Sequence, residues 1–180
     1  MRNTKTIILV LISTIIIGSG AYIIYHKNKS VSNVAVTPTI NTSVVYKNNE
    51  YGFTFSLPDS WRGYTIVQNT WQGYPVNDPK SNETGPKILI RNPNWTSAVH
   101  YEDIPILIFT TAQWDSYVAE DFAVSAAPIP ASKLASNNKY VFALPPRWDY
   151  DFSKGYEEAE NIIKSKPIIG FDIDKLSVTK

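Results

Sequence analysis

The chain has 180 residues, with five Trp, eleven Tyr and seven Phe, enough aromatic surface to require a packed core and to exclude a disordered polypeptide. It has no cysteine, which excludes disulfides, thiolate-bound zinc, iron–sulfur clusters, a thiol nucleophile and a lipid-modified cysteine. Four of the seventeen basic residues precede residue 46 and no acid precedes Glu50, so residues 46–180 carry thirteen basic and sixteen acidic side chains, and no nucleic-acid partner is expected.

Thr6–Tyr25 contains no charge, and as a helix rising 1.5 Å per residue it matches the thickness of a bilayer's hydrocarbon core. Residues 1–26 are therefore expected to be a signal anchor, with Arg2 and Lys5 kept in the cytoplasm. A signal peptide cleaved near Gly18–Ala21 is the alternative, giving a secreted domain. The apolar run Tyr22–Tyr25 continues past that small-residue site and favours the anchor. Residues 27–43, rich in Asn, Ser, Thr and Val, read as a linker. This places the third segment, residues 44–180, outside the cytoplasm as a single domain.

Val44–Tyr46 and Tyr51–Leu57 read as the arms of a hairpin. In the second arm Tyr51, Phe53, Phe55 and Leu57 alternate with small or polar residues, which predicts one buried face. Pro58-Asp59-Ser60 ends that strand before Trp61, and Tyr64–Val67 is the next strand. Residues 72–86 hold Gly73, Pro75, Pro79, Gly85 and Pro86 and read as a long loop. Lys87–Arg91 and Ile104–Phe109 are continuous apolar runs, expected to be central strands. Thr110 and Gln113 have capping-box spacing, which predicts a helix with Trp114, Tyr117, Val118 and Phe122 on one face and Pro128 and Pro130 as terminators. Tyr140–Leu144 is a further strand stopped by Pro145-Pro146. A second helix is predicted over about 154–165, with Tyr156, Ala159, Ile162 and Ile163 inward and Pro167 as its stop. Ile168–Ile173 and Leu176–Val178 add a last strand. Strands first and helices later give an α+β domain, a mostly antiparallel sheet flanked by helices.

The run Tyr51-Gly52-Phe53-Thr54-Phe55-Ser56-Leu57-Pro58-Asp59-Ser60-Trp61 resembles the opening of PsbP-like domains, the Mog1/PsbP group. The resemblance covers about residues 45–166. It implies a sheet flanked by helices and a binding or assembly role, with the matched positions Tyr51, Gly52, Phe53, Phe55, Pro58 and Trp61 structural and no catalytic residue to carry over. The sequence also echoes itself: Asn48-Asn49-Glu50-Tyr51 with the Leu57-Pro58…Trp61 turn recurs as Asn137-Asn138-Lys139-Tyr140 with Leu144-Pro145…Trp148. Recurring strand-and-turn chemistry explains it without a duplication.

No H-E-x-x-H, G-x-S-x-G or phosphate-binding glycine loop occurs, and His100 is the sole histidine of the domain. No cofactor and no metal are expected. Asp149 and Asp151 are the one carboxylate pair with a spacing that catalysis could use. Trp71, Trp95 and Trp148 fall in predicted loops beside amide, carboxylate or arginine side chains, a composition that suits a protein or a sugar. The strongest binding stretch is Arg147-Trp148-Asp149-Tyr150-Asp151, presented from the stiff Pro145-Pro146 base. If that run stays extended, Trp148 and Tyr150 share one side and the two aspartates the other; the competing reading has Trp148 fold back to seal the sheet end, as Trp61 would after its own Leu-Pro turn. The expected function is a non-catalytic binding or scaffolding domain tethered to the membrane, with an envelope protein as partner. The alternative is a domain that binds or cleaves envelope glycan.

Overall fold

The computed structural model describes residues 43–77, 79, 82–127 and 129–173. The apolar segment 6–25, most of the linker, Pro128 and the strand expected at 176–178 lie outside the described residues. Among the described residues no helix is long and apolar enough to cross a membrane.

The domain is α+β with antiparallel sheets. β1 (Val44–Asn48) and β2 (Phe53–Leu57) form the expected hairpin, and the short β10 (Ile168–Gly170) pairs with the other edge of β2. Phe53, Phe55 and Leu57 are buried while Ser56 is exposed, so the alternation in the sequence reports the buried face correctly. A single 3-10 turn, Asp59–Trp61, then drops Trp61 fully into the core.

The main sheet has five strands in the order β3-β5-β6-β9-β8, every neighbouring pair antiparallel: β3 (Thr65–Gln72), β5 (Thr84–Arg91), β6 (Ile104–Thr110), β9 (Tyr140–Leu144) and β8 (Ser132–Ser136). The apolar β6 lies at the centre, as its composition requires. β4 (Tyr74–Pro75) and β7 (Phe122–Ala123) make a separate two-stranded ribbon. Among the described residues the α-helices are α1 (Thr111–Val118) and α2 (Tyr156–Lys164).

Pleating divides the main sheet between two cores. Ile88, Ile90, Ile104, Ile106, Ile108 and Phe142 pack with the hairpin residues Phe53, Phe55 and Leu57, with Trp61, and with Ala159 and Ile162 of α2. Leu107, Phe109, Val141 and Ala143 point the other way and pack with Trp71 and Phe122, under Trp114 and Tyr117 of α1. The result is three layers, with the five-stranded sheet in the middle.

The capping box that starts α1 forms as the sequence predicts: Gln113 N donates to Thr110 Oγ1 at 3.1 Å, and Thr110 N to Gln113 Oε1 at 3.0 Å. The helix is shorter than expected. It stops at Val118, whose side chain is exposed, because the Glu120 backbone turns left-handed (φ 63°) and sends Phe122 inward on β7. The long loop expected over 72–86 is also shorter, since β3 and β5 extend to Gln72 and from Thr84. Gly85 and Pro86 sit inside β5. Gly85 faces Trp71, and a Cβ there would lie 2.6 Å from the indole, so only glycine lets the ring cross the strand. β8, polar and at the sheet edge, has no counterpart among the predicted strands.

Candidate functional site

Because the main sheet is antiparallel, the end of β5 at Arg91, the start of β6 at Ile104 and the end of β9 at Leu144 lie along one margin. Two loops, 92–103 and 145–155, therefore come together. Tyr101 and Lys154 form a parallel bridge, and Glu102 N donates to Lys154 O at 2.8 Å. Below them the Asp103 carboxylate accepts from Arg91 Nε and from Asn92 N, both at 3.1 Å. Asn92 is buried, and its Oδ1 accepts Asn94 N at 2.9 Å. The first loop is thus pinned at its root.

Trp95 stands on this loop, half-buried. Arg91 lies 3.9 Å from its ring centroid and His100 stacks nearly parallel at 5.1 Å, so much of its stacking surface is occupied within the chain. Trp71 is not in a loop. It lies on β3 at the opposite margin, 4% exposed, and its Nε1 donates to Ile108 O at 2.8 Å. Phe109 and Phe122 pack on it. Its apolar ring fills the second core and its polar edge finds a carbonyl there, which removes Trp71 from any surface.

The second loop is coiled, not extended. Tyr150 N donates to Arg147 O at 3.2 Å and Phe152 N to Asp149 O at 3.3 Å, while Arg147 (φ 51°) and Phe152 (φ 47°) are left-handed. Left-handed backbone is uncommon for residues with a Cβ, and two such residues in six mark stored strain, a pattern that clusters at ligand-contacting sites. The expected alternation therefore fails. Trp148 turns in and packs, half-buried, on the first core. Tyr150 turns out, 62% exposed, beside Phe152 at 67%. Arg147 lies 5.3 Å from the Tyr150 centroid, the Tyr150 and Phe152 centroids are 6.4 Å apart, and Phe152 meets Tyr156 of α2 edge-on at 5.1 Å. A ladder results of an exposed arginine, two exposed rings and the half-buried Tyr156, which packs against Phe152 and not in the core as its expected inward position required. Phe152 and Tyr156 were missed as site residues in the sequence because neither lies in the run of hot-spot residue types. The only signal was their spacing, two and six residues beyond Tyr150.

The carboxylates are arranged differently from the sequence expectation. Asp149 lies beside Glu160 of α2, and burial first, with this neighbour second, raises the Asp149 carboxyl pKa above its ordinary range. Lys164 Nζ, 2.6 Å from Glu160, is the main cause that keeps the Glu160 carboxyl ionised below its ordinary range. Glu102, 8% exposed, is pushed up by burial, against a hydrogen bond from Ser153. Asp151 is exposed. Among the described residues no three His, Asp or Glu side chains are placed to hold a metal ion.

A separate cleft of about 640 Å³ opens beside α1. Val76, Trp114, Tyr117, Val118, Ile129 and Pro146 are among its walls, and Pro146 is the residue before Arg147. Comparison with known proteins gives no match: no family model, no curated protein and no solved structure is similar to the chain.

Proposed function

We propose that this chain is a membrane-tethered, extracytoplasmic binding domain that docks an envelope protein through the Arg147–Tyr156 ladder and catalyses no reaction. The observation that carries the reading is the exposure of Tyr150 and Phe152 on a turn held in left-handed backbone at both ends. Exposed rings on a soluble surface cost solvation, and strained turns cost conformational energy; both are tolerated where a partner covers them. Arginine and tyrosine are also the residue types most enriched at binding hot spots. The turn is already ordered by its own hydrogen bonds and by the bridge to loop 92–103, so docking loses little further entropy.

The non-catalytic reading is supported by the fate of the carboxylates. Asp149 lies beside Glu160, which is paired with Lys164 at 2.6 Å, and the sequence holds no H-E-x-x-H, no G-x-S-x-G and no phosphate-binding glycine loop. Tethering by residues 6–25 is supported by twenty uncharged residues behind two basic ones. Kinship with PsbP-like domains rests on the opening motif Tyr51–Trp61 alone. Exposed rings beside Asp151 also suit a sugar, and envelope glycan is the second reading.

Full-length wild-type chain and the Tyr150→Ala/Phe152→Ala double variant, used as bait on native membranes, separate these readings. The protein-docking reading expects one retained protein that the double variant loses, with soluble peptidoglycan fragments failing to bind. Binding of those fragments to the wild type with no retained protein would favour glycan, and equal retention by both baits would remove the ladder from the account.

A further inference from the structure

We infer that β3 is a pairing edge through which two copies of this chain join their five-stranded sheets into one continuous antiparallel sheet. β3 is the end strand of the order β3-β5-β6-β9-β8. Its eight residues, Thr-Ile-Val-Gln-Asn-Thr-Trp-Gln, contain no charge and no proline, and Gln68, Asn69 and Thr70 are exposed. A free strand edge presents unpaired N–H and C=O groups, and proteins ordinarily block such edges with charge, proline, a bulge or a short strand.

The other edge of the same sheet shows that blocking. β8 is five residues long, carries Lys133, and breaks register between Lys133 and Ala135. It is also covered: Gly170 of β10 sits so close to Ser136 that a Cβ would strike the Ser136 carbonyl. β1, an edge of the three-stranded sheet, is five residues long and carries Lys47. Among the described residues the longest sheet edge is thus the one left without any of these devices.

The occupant that fits is a second copy. In an antiparallel pair directly opposed residues share a face of the sheet, as Thr65 and Arg91 or Trp71 and Gly85 do here. A two-fold axis at Gln68 sets that amide against its own copy, donor to acceptor, with Val67 facing Asn69 and Ile66 facing Thr70. An axis at Asn69 sets Asn69 against itself and Val67 against Trp71. In neither register do like charges meet. A groove of about 350 Å³ whose walls include Tyr51, Gln68, Thr70 and Pro86 runs beside the edge. The side chains that the second copy turns to that face, Ile66 among them, would lie along its rim. An unrelated apolar peptide would instead leave the Gln68-Asn69-Thr70 amides and hydroxyl facing carbon.

The absence of cysteine gives a clean test. Single variants Gln68→Cys, Asn69→Cys and Thr70→Cys are made in the full-length chain, with Lys133→Cys and Val45→Cys as controls on the other edges, and the purified proteins are exposed to a mild oxidant. Residues opposed across a two-fold axis lie about 4.5–5.5 Å apart at Cα, inside the range a disulfide bridges. The expected result is a disulfide-linked dimer from the position at the axis and none from the controls. In sedimentation, a Lys variant at the cross-linking axis position (Gln68→Lys or Asn69→Lys) should be monomeric alone, and mixing it with the Glu variant at the same position should restore a dimer. Absence of cross-linking throughout 68–70, equal cross-linking of the controls, or a wild type that sediments as a monomer at every concentration would overturn the proposal.

Discussion

Tyr51 and Tyr140 meet edge to face, ring centroids 5.5 Å apart at 81°, and join two turns built on the same chemistry. In one, Asn48 Oδ1 accepts Tyr51 N at 2.8 Å; in the other, Asn137 Oδ1 accepts Tyr140 N at 2.9 Å. The echo between Asn48…Tyr51 and Asn137…Tyr140 is therefore one local solution used twice, an asparagine closing a turn three residues ahead. Asn137 also ties the turns together, since its Nδ2 donates to Tyr51 O, Gly52 O and Phe171 O at 2.8, 2.9 and 3.2 Å.

Asn137→Ala should accordingly be among the costliest polar substitutions, about 2–3 kcal/mol, because it strips partners from several half-buried backbone groups at once. Chemical denaturation measures it. Gly52→Ala should be at least as damaging, because Gly52 is left-handed (φ +73°) and a Cβ would lie 2.5 Å from Phe171 O.

Two buried tryptophans differ in one respect. Trp71 Nε1 is bonded to Ile108 O, whereas Trp61 Nε1 is buried with no partner among the described residues. Replacement by Phe removes similar volume from each, so Trp71→Phe should cost about 1 kcal/mol more than Trp61→Phe. Equal losses in denaturant midpoint would show that the Trp71 bond contributes nothing.

At the loop margin the rings separate by role. Trp148→Ala should destabilise by about 1–3 kcal/mol, less than the loss of a fully buried ring, because Trp148 is only half inside. Tyr150→Ala and Phe152→Ala, on exposed positions, should each stay within about 0.5 kcal/mol.

Glu102 makes stability depend on pH with a definite sign. Burial raises its carboxyl pKa above the unfolded value, so the folded state holds the proton more tightly. Its contribution is most favourable below the unfolded pKa and is lost as pH rises through the raised folded one. Glu102→Gln should therefore gain stability relative to wild type on going from acid to neutral pH, with the gain levelling off above the folded pKa. Thermal melts across the acid-to-neutral range check this, and a mutant whose difference from wild type does not change with pH would contradict it.

The hairpin, the central strands, the capped start of α1 and the inward positions Ala159, Ile162 and Ile163 of α2 were legible because each follows from periodicity or a local hydrogen bond. Phe53, Phe55 and Leu57 alternate, and Thr110 and Gln113 are three apart. What failed depended on distant partners. Trp71 looked like a loop residue because Gly73 and Pro75 follow it, yet Gly85 across the strand pair makes room for its ring. β8 escaped because an edge strand need not be apolar. In the candidate site, the meeting of loops 92–103 and 145–155 came from the antiparallel order of β5, β6 and β9, which no local pattern encodes. The inward turn of Trp148 was legible as a competing reading from the Leu-Pro turn it shares with Trp61, whereas the left-handed backbone at the non-glycine Arg147 gives no warning in sequence.

The central claim, that the Tyr150–Phe152 turn is covered by a partner, is tested most directly by a photo-cross-linking residue placed at position 150 of the full-length chain in living cells. Ile169, 64% exposed and away from this loop, is the control position. The account predicts one discrete light-dependent adduct with an envelope protein from position 150 and none from 169. No adduct from position 150, or the same adducts from both positions, would contradict it.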